Sequence, residues 1–244
     1  MALNEFQTGL GRLLREQKSS DPLHGVNLDA NEKRYFESLQ ETDGFRFCAG
    51  IQRSWCVGRA AKSAYFTLSL MPDEERQALL DEWVDSGAGT NSFFDAEGES
   101  FLSFISKRLT DPSHELSVCQ FEQATLRASN GASSYASPDL SALANVDRKL
   151  QRGRHAALVR LYLDPSLLIE SMQTRKPLPP LSSEALVLMF SPGLPQLCDM
   201  PSEEEIAIWE ALDAPAPVGT LLSLNISPET LTQLLEQGTL EYAD

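Results

Sequence analysis

Ala185-Leu186-Val187-Leu188-Met189-Phe190-Ser191-Pro192-Gly193 is the stretch on which the reading of this chain turns. Six apolar residues without Gly or Pro are too few for an ordinary helix, and Ser-Pro-Gly stops them, so the run predicts a buried strand. A helix follows from about Ser202, where Glu203, Glu204 and Glu205 fill the first turn with the charge that a helix N-terminus prefers. Ile206, Trp209 and Leu212 recur behind them at helical spacing. Pro215 and Pro217 interrupt the chain, and a short helix carrying Val218, Leu221 and Leu222 fits next. A third helix has the clearest start: Ser227 is an N-cap, Pro228 takes the first helical position, and Ile226 and Leu231 occupy the staple positions. Leu231, Leu234 and Leu235 form its inward stripe, Gly238 stops it, and Thr239 to Tyr242 run out as a short strand.

Strand, three short helices, strand is the order of a winged helix. Charge argues against its commonest use. From Pro177 onward there is no Lys or Arg, and eleven carboxylates there carry most of the chain's net −15. DNA affinity comes from Lys and Arg displacing condensed counterions, so an acidic reading helix would be repelled. Docking of a peptide or a protein remains.

The 244 residues suit one large or two modest domains, and 42% hydrophobic content is enough for real cores. Met1 to Phe6 lack the basic and apolar regions of a signal peptide, and no apolar run approaches membrane-spanning length, so the expected location is cytoplasmic. Cys48, Cys56, Cys119 and Cys198 show no CxxC spacing and read as reduced thiols. His24, His114 and His155 lie in separate regions without metal-ligand spacing. GxSxG, P-loop and strand-borne GxGxxG motifs are absent from the sequence, and acid-rich helix starts account for most carboxylates. The residues nominate no catalytic group, no metal ligand and no cofactor for this chain.

Read in order, the first half is helical. Phe6, Leu10, Leu13 and Leu14 stripe a helix over 3–17 that Ser19-Ser20-Asp21-Pro22 ends. Asn31 caps a short helix bearing Tyr35, Phe36 and Leu39. A longer helix, or a broken pair, runs from Asp43 to Leu70 and is apolar on several sides, as in the centre of a bundle. Pro72 starts another with Leu79, Leu80, Trp83 and Val84 inward, which Gly87-Ala88-Gly89 stops; a further helix spans Phe101 to Leu109. Ser113 caps a last one reaching about Ser129. Asn130-Gly131 and Ser137-Pro138 signal a linker. The expected division is therefore a helical domain over 1–130, a linker over 131–145 and a second domain over 146–244. In that domain Val146–Leu150 and Ala156–Leu163 read as strands joined through Arg152-Gly153, and with Ala185–Phe190 they make a three-stranded antiparallel sheet. A helical excursion over 164–172 and the proline-rich Lys176 to Pro180 separate the second strand from the third. The fold class is α+β.

Three strands followed by three helices, acidic and free of Lys and Arg, resemble the PqqD-like RiPP recognition element, the module that holds leader peptides for peptide-modifying enzymes. With a helical domain in front, the chain is similar to the TglI-like partner proteins of multinuclear non-heme iron oxidases in the 3-thiaglutamate pathway, related to the MbnC proteins of methanobactin biosynthesis. Arg53-Ser54-Trp55, Leu116 to Ala128 with Phe121-Glu122-Gln123-Ala124, Asp164-Pro165-Ser166-Leu167-Leu168 followed by Pro177 to Pro180, and Ile226 to Leu240 carry the likeness. It implies a non-catalytic subunit that forms a heterodimer with a TIM-barrel oxidase. The oxidase holds the iron, and this chain presents to it the cysteine of a ribosomal precursor peptide, for β-carbon excision from a C-terminal Cys. The resemblance also implies that the leader adds as a strand beside the third strand and packs on the third helix. This nominates Leu186, Leu188, Phe190, Leu231, Leu234 and Leu235 for the peptide; the other reading of all six is core of the small domain. Arg53 and Trp55, residue types that dominate interfaces, are the candidate oxidase contact. The alternative functions are a winged-helix interaction or regulatory module with no role in peptide modification, and an enzyme whose site one sequence does not reveal.

Overall fold

The structure, a computed structural model, describes residues 3–15, 23–86, 94–174, 176–224 and 226–243. The helix stops expected at Ser19–Pro22 and Gly87–Gly89 lie outside them. Helices and two small antiparallel sheets make an α+β chain. It divides into two compact units, Met1–Arg108 and Leu109–Asp244.

The first unit is helical: α1 Leu3–Arg15, α2 Ala30–Gln40, α3 Asp43–Ser63, α4 Tyr65–Ser69, α5 Asp73–Asp85 and α6 Phe94–Ser106. The cap of α2 is Asp29 and not Asn31. Its carboxylate accepts from the Asn31 and Glu32 N–H groups, and Glu32 accepts in return from the Asp29 N–H, a reciprocal box that satisfies the exposed donors of the first turn. Trp83, Phe101, Leu102 and Ile105 are fully buried, with Trp83 edge-on to Phe101 at 5.2 Å.

The expected central helix is central, but it is turned inside out. α3 packs against α1, α2, α5 and α6 and buries only Ala49, Cys56 and Ala60. Small side chains let neighbouring helices approach closely, and the large residues Phe47, Ile51 and Trp55 then face solvent.

The second unit begins earlier than the linker signal suggested. Its first helix, α7 His114–Ala132, lays Phe121, Ala124 and Ala128 on a sheet of this unit. The boundary therefore falls at Arg108, not near residue 130. Gly131 is no linker residue: it is buried at the end of α7, where an added Cβ would meet that of His155 at 2.6 Å.

After a short 3-10 turn over Leu140–Ala144 come β1 Lys149–Arg152, β2 Ala157–Leu161, α8 Pro165–Thr174, β3 Leu186–Phe190, β4 Cys198–Asp199, α9 Glu203–Ala211, β5 Ala216–Pro217, α10 Val218–Ser223, α11 Pro228–Glu236 and β6 Leu240–Tyr242. The three strands expected in one sheet are divided between two. One sheet has the order β5-β1-β6 and the other β2-β3-β4, all antiparallel. The reason is which core each strand feeds. β1 offers a single apolar side chain, Leu150, and buries it among Ile208, Leu212, Val218, Leu221, Leu231, Leu234, Leu235 and Leu240. β2 and β3 alternate Val159 and Leu161 with Leu188 and Phe190 beneath α7. Between β1 and β2 the chain does not turn back on itself as a hairpin. Gly153 donates to Thr239 O at 2.8 Å, and a Cβ there would strike Gly238 O at 2.2 Å, so β1 is tied to the start of β6.

Helix ends in this half follow local chemistry. Ser202 and Glu205 form a capping box, Ser227 caps α11 with Pro228 behind it, and Gly238 stops the helix at φ 72°. Glu204 links the two: its carboxylate accepts from the Ser227 N–H and the Thr230 hydroxyl, each at 2.9 Å. The Ser227 N–H and then the Thr230 hydroxyl hold Glu204 below the ordinary carboxylate range. A depressed carboxyl contributes stability that is whole above the unfolded value of about 4.3 and is lost as pH falls through the folded one. Glu204→Gln is expected to melt earlier than the parent at neutral pH, with the gap closing in acid below that window. A gap of the same size on both sides of it would mean that the charge is not what holds the clamp.

Candidate peptide-binding site

Sheet β2-β3-β4 leaves strand edges open. α7 covers the face that carries Val159, Leu161, Leu188 and Phe190, with the Phe121 ring edge-on to Phe190 at 5.3 Å. Alternation sends Arg160 to the opposite face, where it meets Glu210 of α9 at 2.7 Å. β3 pairs with β2 along five residues, but β4 pairs only with Met189 and Phe190. Leu186 to Leu188 are therefore paired on one side alone. β2 is the other edge.

Two clefts flank these edges. One, about 370 Å³, lies between the end of β3, the segment leaving β4 and the outer sides of α9 and α11, with Met189, Met200, Asp199, Glu205, Gln233 and Gln237 around it. The turn after β3 fixes its position, because Gly193 donates to Gln237 O at 2.8 Å and its α-carbon packs so closely that a Cβ would meet Gln237 backbone. Among the described residues lining this cleft are two carboxylates and no Lys or Arg. Met200, 68% exposed, gives it an apolar lip. The second cleft, about 390 Å³, runs between α7 and the free side of β2.

No protein-family model matches the chain, and no curated protein matches it.

The six residues nominated for the peptide do not share a groove. Leu231, Leu234 and Leu235 are at most 1% exposed in the core of the helical half, while Leu188 and Phe190 lie under α7 with Leu186 packed beside them. Their side chains serve two separate cores, because the inward stripe of α11 and the α7 face of β3 point into different interiors. What remains open on the same elements is the β3 backbone and the polar side of α11, Gln233 and Gln237. Periodicity marks that side as solvent-facing; the cleft beside it arises from the two-residue strand β4, too short to carry a sequence signal.

Arg53 and Trp55 also part company. Arg53 bridges Asp81 and Asp85 of α5, at 2.5 Å to each, so it holds the unit together. Trp55 is 63% exposed. It belongs to a longer seam: Cys48, Ile51, Trp55, Gly58, Lys62 and Tyr65 follow at alternating spacings of three and four, and all are exposed. The Ala64 N–H to Ala60 O and Leu68 N–H to Ala64 O bonds keep α3 and α4 in nearly one helical run.

The nucleophile and metal inventories are thin. Burial, and then Asp199, push the Cys198 thiol up from its ordinary value, which disfavours the reactive thiolate. Cys56 and Cys119 are buried. His114 Nε2 lies 2.6 Å from Pro179 O and anchors the proline-rich segment, and His155 lies against Gly131. Among the described residues no group of three or more His, Cys, Asp or Glu is placed to hold a metal ion, and no helix is long and apolar enough to cross a membrane.

Proposed function

We propose that this chain is a non-catalytic partner subunit that binds an extended segment of a ribosomal precursor peptide and presents its cysteine to a separate, iron-bearing TIM-barrel oxidase. The observation that carries the reading is the half-open edge of β3 beside the acidic cleft at α11. A strand laid along Leu186 to Leu188 gains main-chain hydrogen bonds, and its next residues enter the cleft between Met189, Met200 and Gln233. Asp199 and Glu205 favour a peptide with Lys or Arg there and make binding weaken with salt. The surrounding half, with α9 to α11 and sheet β5-β1-β6, we read as a winged helix serving as a RiPP recognition element. Its acidic surface suits this use and not DNA. The exposed seam of α3 is the docking face for the oxidase.

Gln233→Trp tests the peptide site without touching the core, since Gln233 is exposed on α11. With folding confirmed by circular dichroism, it is expected to weaken binding of a Cys-containing ribosomal precursor peptide at least about tenfold, or roughly 1.4 kcal/mol. Parent-like affinity in that variant, and in Met200→Trp, would place the peptide elsewhere.

A further inference from the structure

The bare face of α3 carries a pattern that fits itself. Cys48, Ile51, Trp55, Gly58, Lys62 and Tyr65, spaced alternately three and four along α3 and into α4, follow the a/d rhythm of a two-stranded coiled coil. Phe47 and Phe66, 69% and 42% exposed, flank its two ends. Gly58 is the informative member. Inside a helix glycine costs about 1 kcal/mol against alanine. Nothing in its own unit requires it, since a Cβ at Gly58 would meet no neighbouring group within 4 Å among the described residues. The missing side chain leaves a hollow on the seam, one turn from Trp55, its largest exposed ring.

We infer that the chain by itself forms a dimer in which α3 pairs antiparallel with α3 of a second copy, across a two-fold axis between Cys56 and Val57. That axis sets Trp55 opposite Gly58, Ile51 opposite Lys62 and Cys48 opposite Tyr65, each pair occurring twice, as an isologous contact requires. The indole of each copy enters the hollow of the other. Lys62, the one charge on the seam, lays its aliphatic stem on Ile51 and stands about 16 Å along the helices from its counterpart. A parallel pair would instead set Trp55 on Trp55 and Lys62 on Lys62. The area also suits a second copy. Phe47, Trp55, Tyr65 and Phe66, between 42% and 69% exposed, offer roughly 350–600 Å² of apolar surface at about 150–250 Å² per ring. A homodimer contact of about 800 Å² per partner, about 65% apolar, needs roughly 520 Å². The pairing does not depend on the function proposed above; an oxidase that docks on the same face must displace the second copy.

Sedimentation equilibrium of the full chain alone, over a dilution series, reads the pairing, with circular dichroism to confirm that each variant is folded. The parent is expected to form a two-chain species and nothing larger, because a two-fold contact closes on itself. Gly58→Leu fills the hollow and should weaken the dimer at least about a hundredfold. Compared at a dilution where the parent is dissociated, it should melt no earlier, since it replaces a glycine inside a helix. Trp55→Gly removes the knob and should weaken the dimer likewise. The exchange Trp55→Gly with Gly58→Trp moves knob and hollow to each other's places, where the same axis pairs them again, and should recover affinity to within about tenfold of the parent. Roles confined to the fold of one copy predict no such recovery. A parent that stays monomeric, an assembly larger than two chains, a dimer that survives Gly58→Leu, or a folded exchange variant that recovers nothing would each overturn the inference.

Discussion

Arg59→Met is expected to lower the stability of the Met1–Arg108 unit by about 3–5 kcal/mol, the usual result of removing one partner from a buried ion pair. Glu97 of α6 has a side chain 0% exposed, and Arg59 of α3 faces it with Nε 2.5 Å from Oε2 and Nη2 2.7 Å from Oε1. Nη2 donates a charge-assisted hydrogen bond to Oε1, and Nε lies beside Oε2 as an ion-pair contact. Here they also hold together the two helices that pack most extensively in the unit. Methionine keeps the apolar stem and removes the guanidinium, leaving a carboxylate in a nearly dry interior. Chemical unfolding followed by tryptophan fluorescence reads the effect, since Trp83 is wholly buried in the same unit. The double variant Arg59→Met, Glu97→Leu removes both charges and is expected to recover most of the loss. If the single variant costs under about 1 kcal/mol, or the double variant recovers nothing, the pair is a surface contact in energetic terms.

The sequence signals that proved informative were those whose hydrogen bonds are local. Ser113 and Ser227 cap the helices expected of them, a helix starts behind Ser202, Gly238 ends α11, and the excursion after Asp164 is helical. A cap is decided by residues within one turn, so spacing alone reveals it. Pairing of distant strands is not decided that way. β1 was expected beside β2 because the two are near in sequence, and instead it lies between β5 and β6, more than sixty residues further on. Its start also moves from Val146 to Lys149, because Asn145 to Arg148 form a turn. For the candidate site, apolar spacing identified Leu231, Leu234 and Leu235 as a stripe but could not distinguish a stripe that lines a groove from one that fills a core. On α3 the same ambiguity ran the other way. A helix apolar on all sides has two candidate inward faces, and the packing chose the one with the smallest side chains.

That choice gives the second large expectation. On the function proposed above, Trp55→Asp should abolish co-purification with an iron-bearing oxidase that the parent chain retains, weakening the complex by about a hundredfold or more, equivalent to at least roughly 2.7 kcal/mol, while leaving the chain folded. Folding should survive because the indole is 63% exposed and supports no core. The seam around it is large enough to matter. Phe47, Trp55 and Tyr65 are 69%, 63% and 64% exposed, so at about 150–250 Å² per ring they offer roughly 300–500 Å². A stable interface needs about 800 Å² from each partner, so these rings would form its apolar centre with a polar rim around them. The spacing of three and four over Cys48, Ile51, Trp55, Gly58, Lys62 and Tyr65 suits a facing helix. Gly58 lets that helix come close, and Trp55 supplies the anchor. Arg53→Ala is the informative control: it cuts the links to Asp81 and Asp85 and so should destabilise the unit without a specific effect on docking. If folded Trp55→Asp and Phe47→Asp variants both retain the oxidase at parent affinity, the exposed face of α3 is not the contact, and the partner must be held by the second unit.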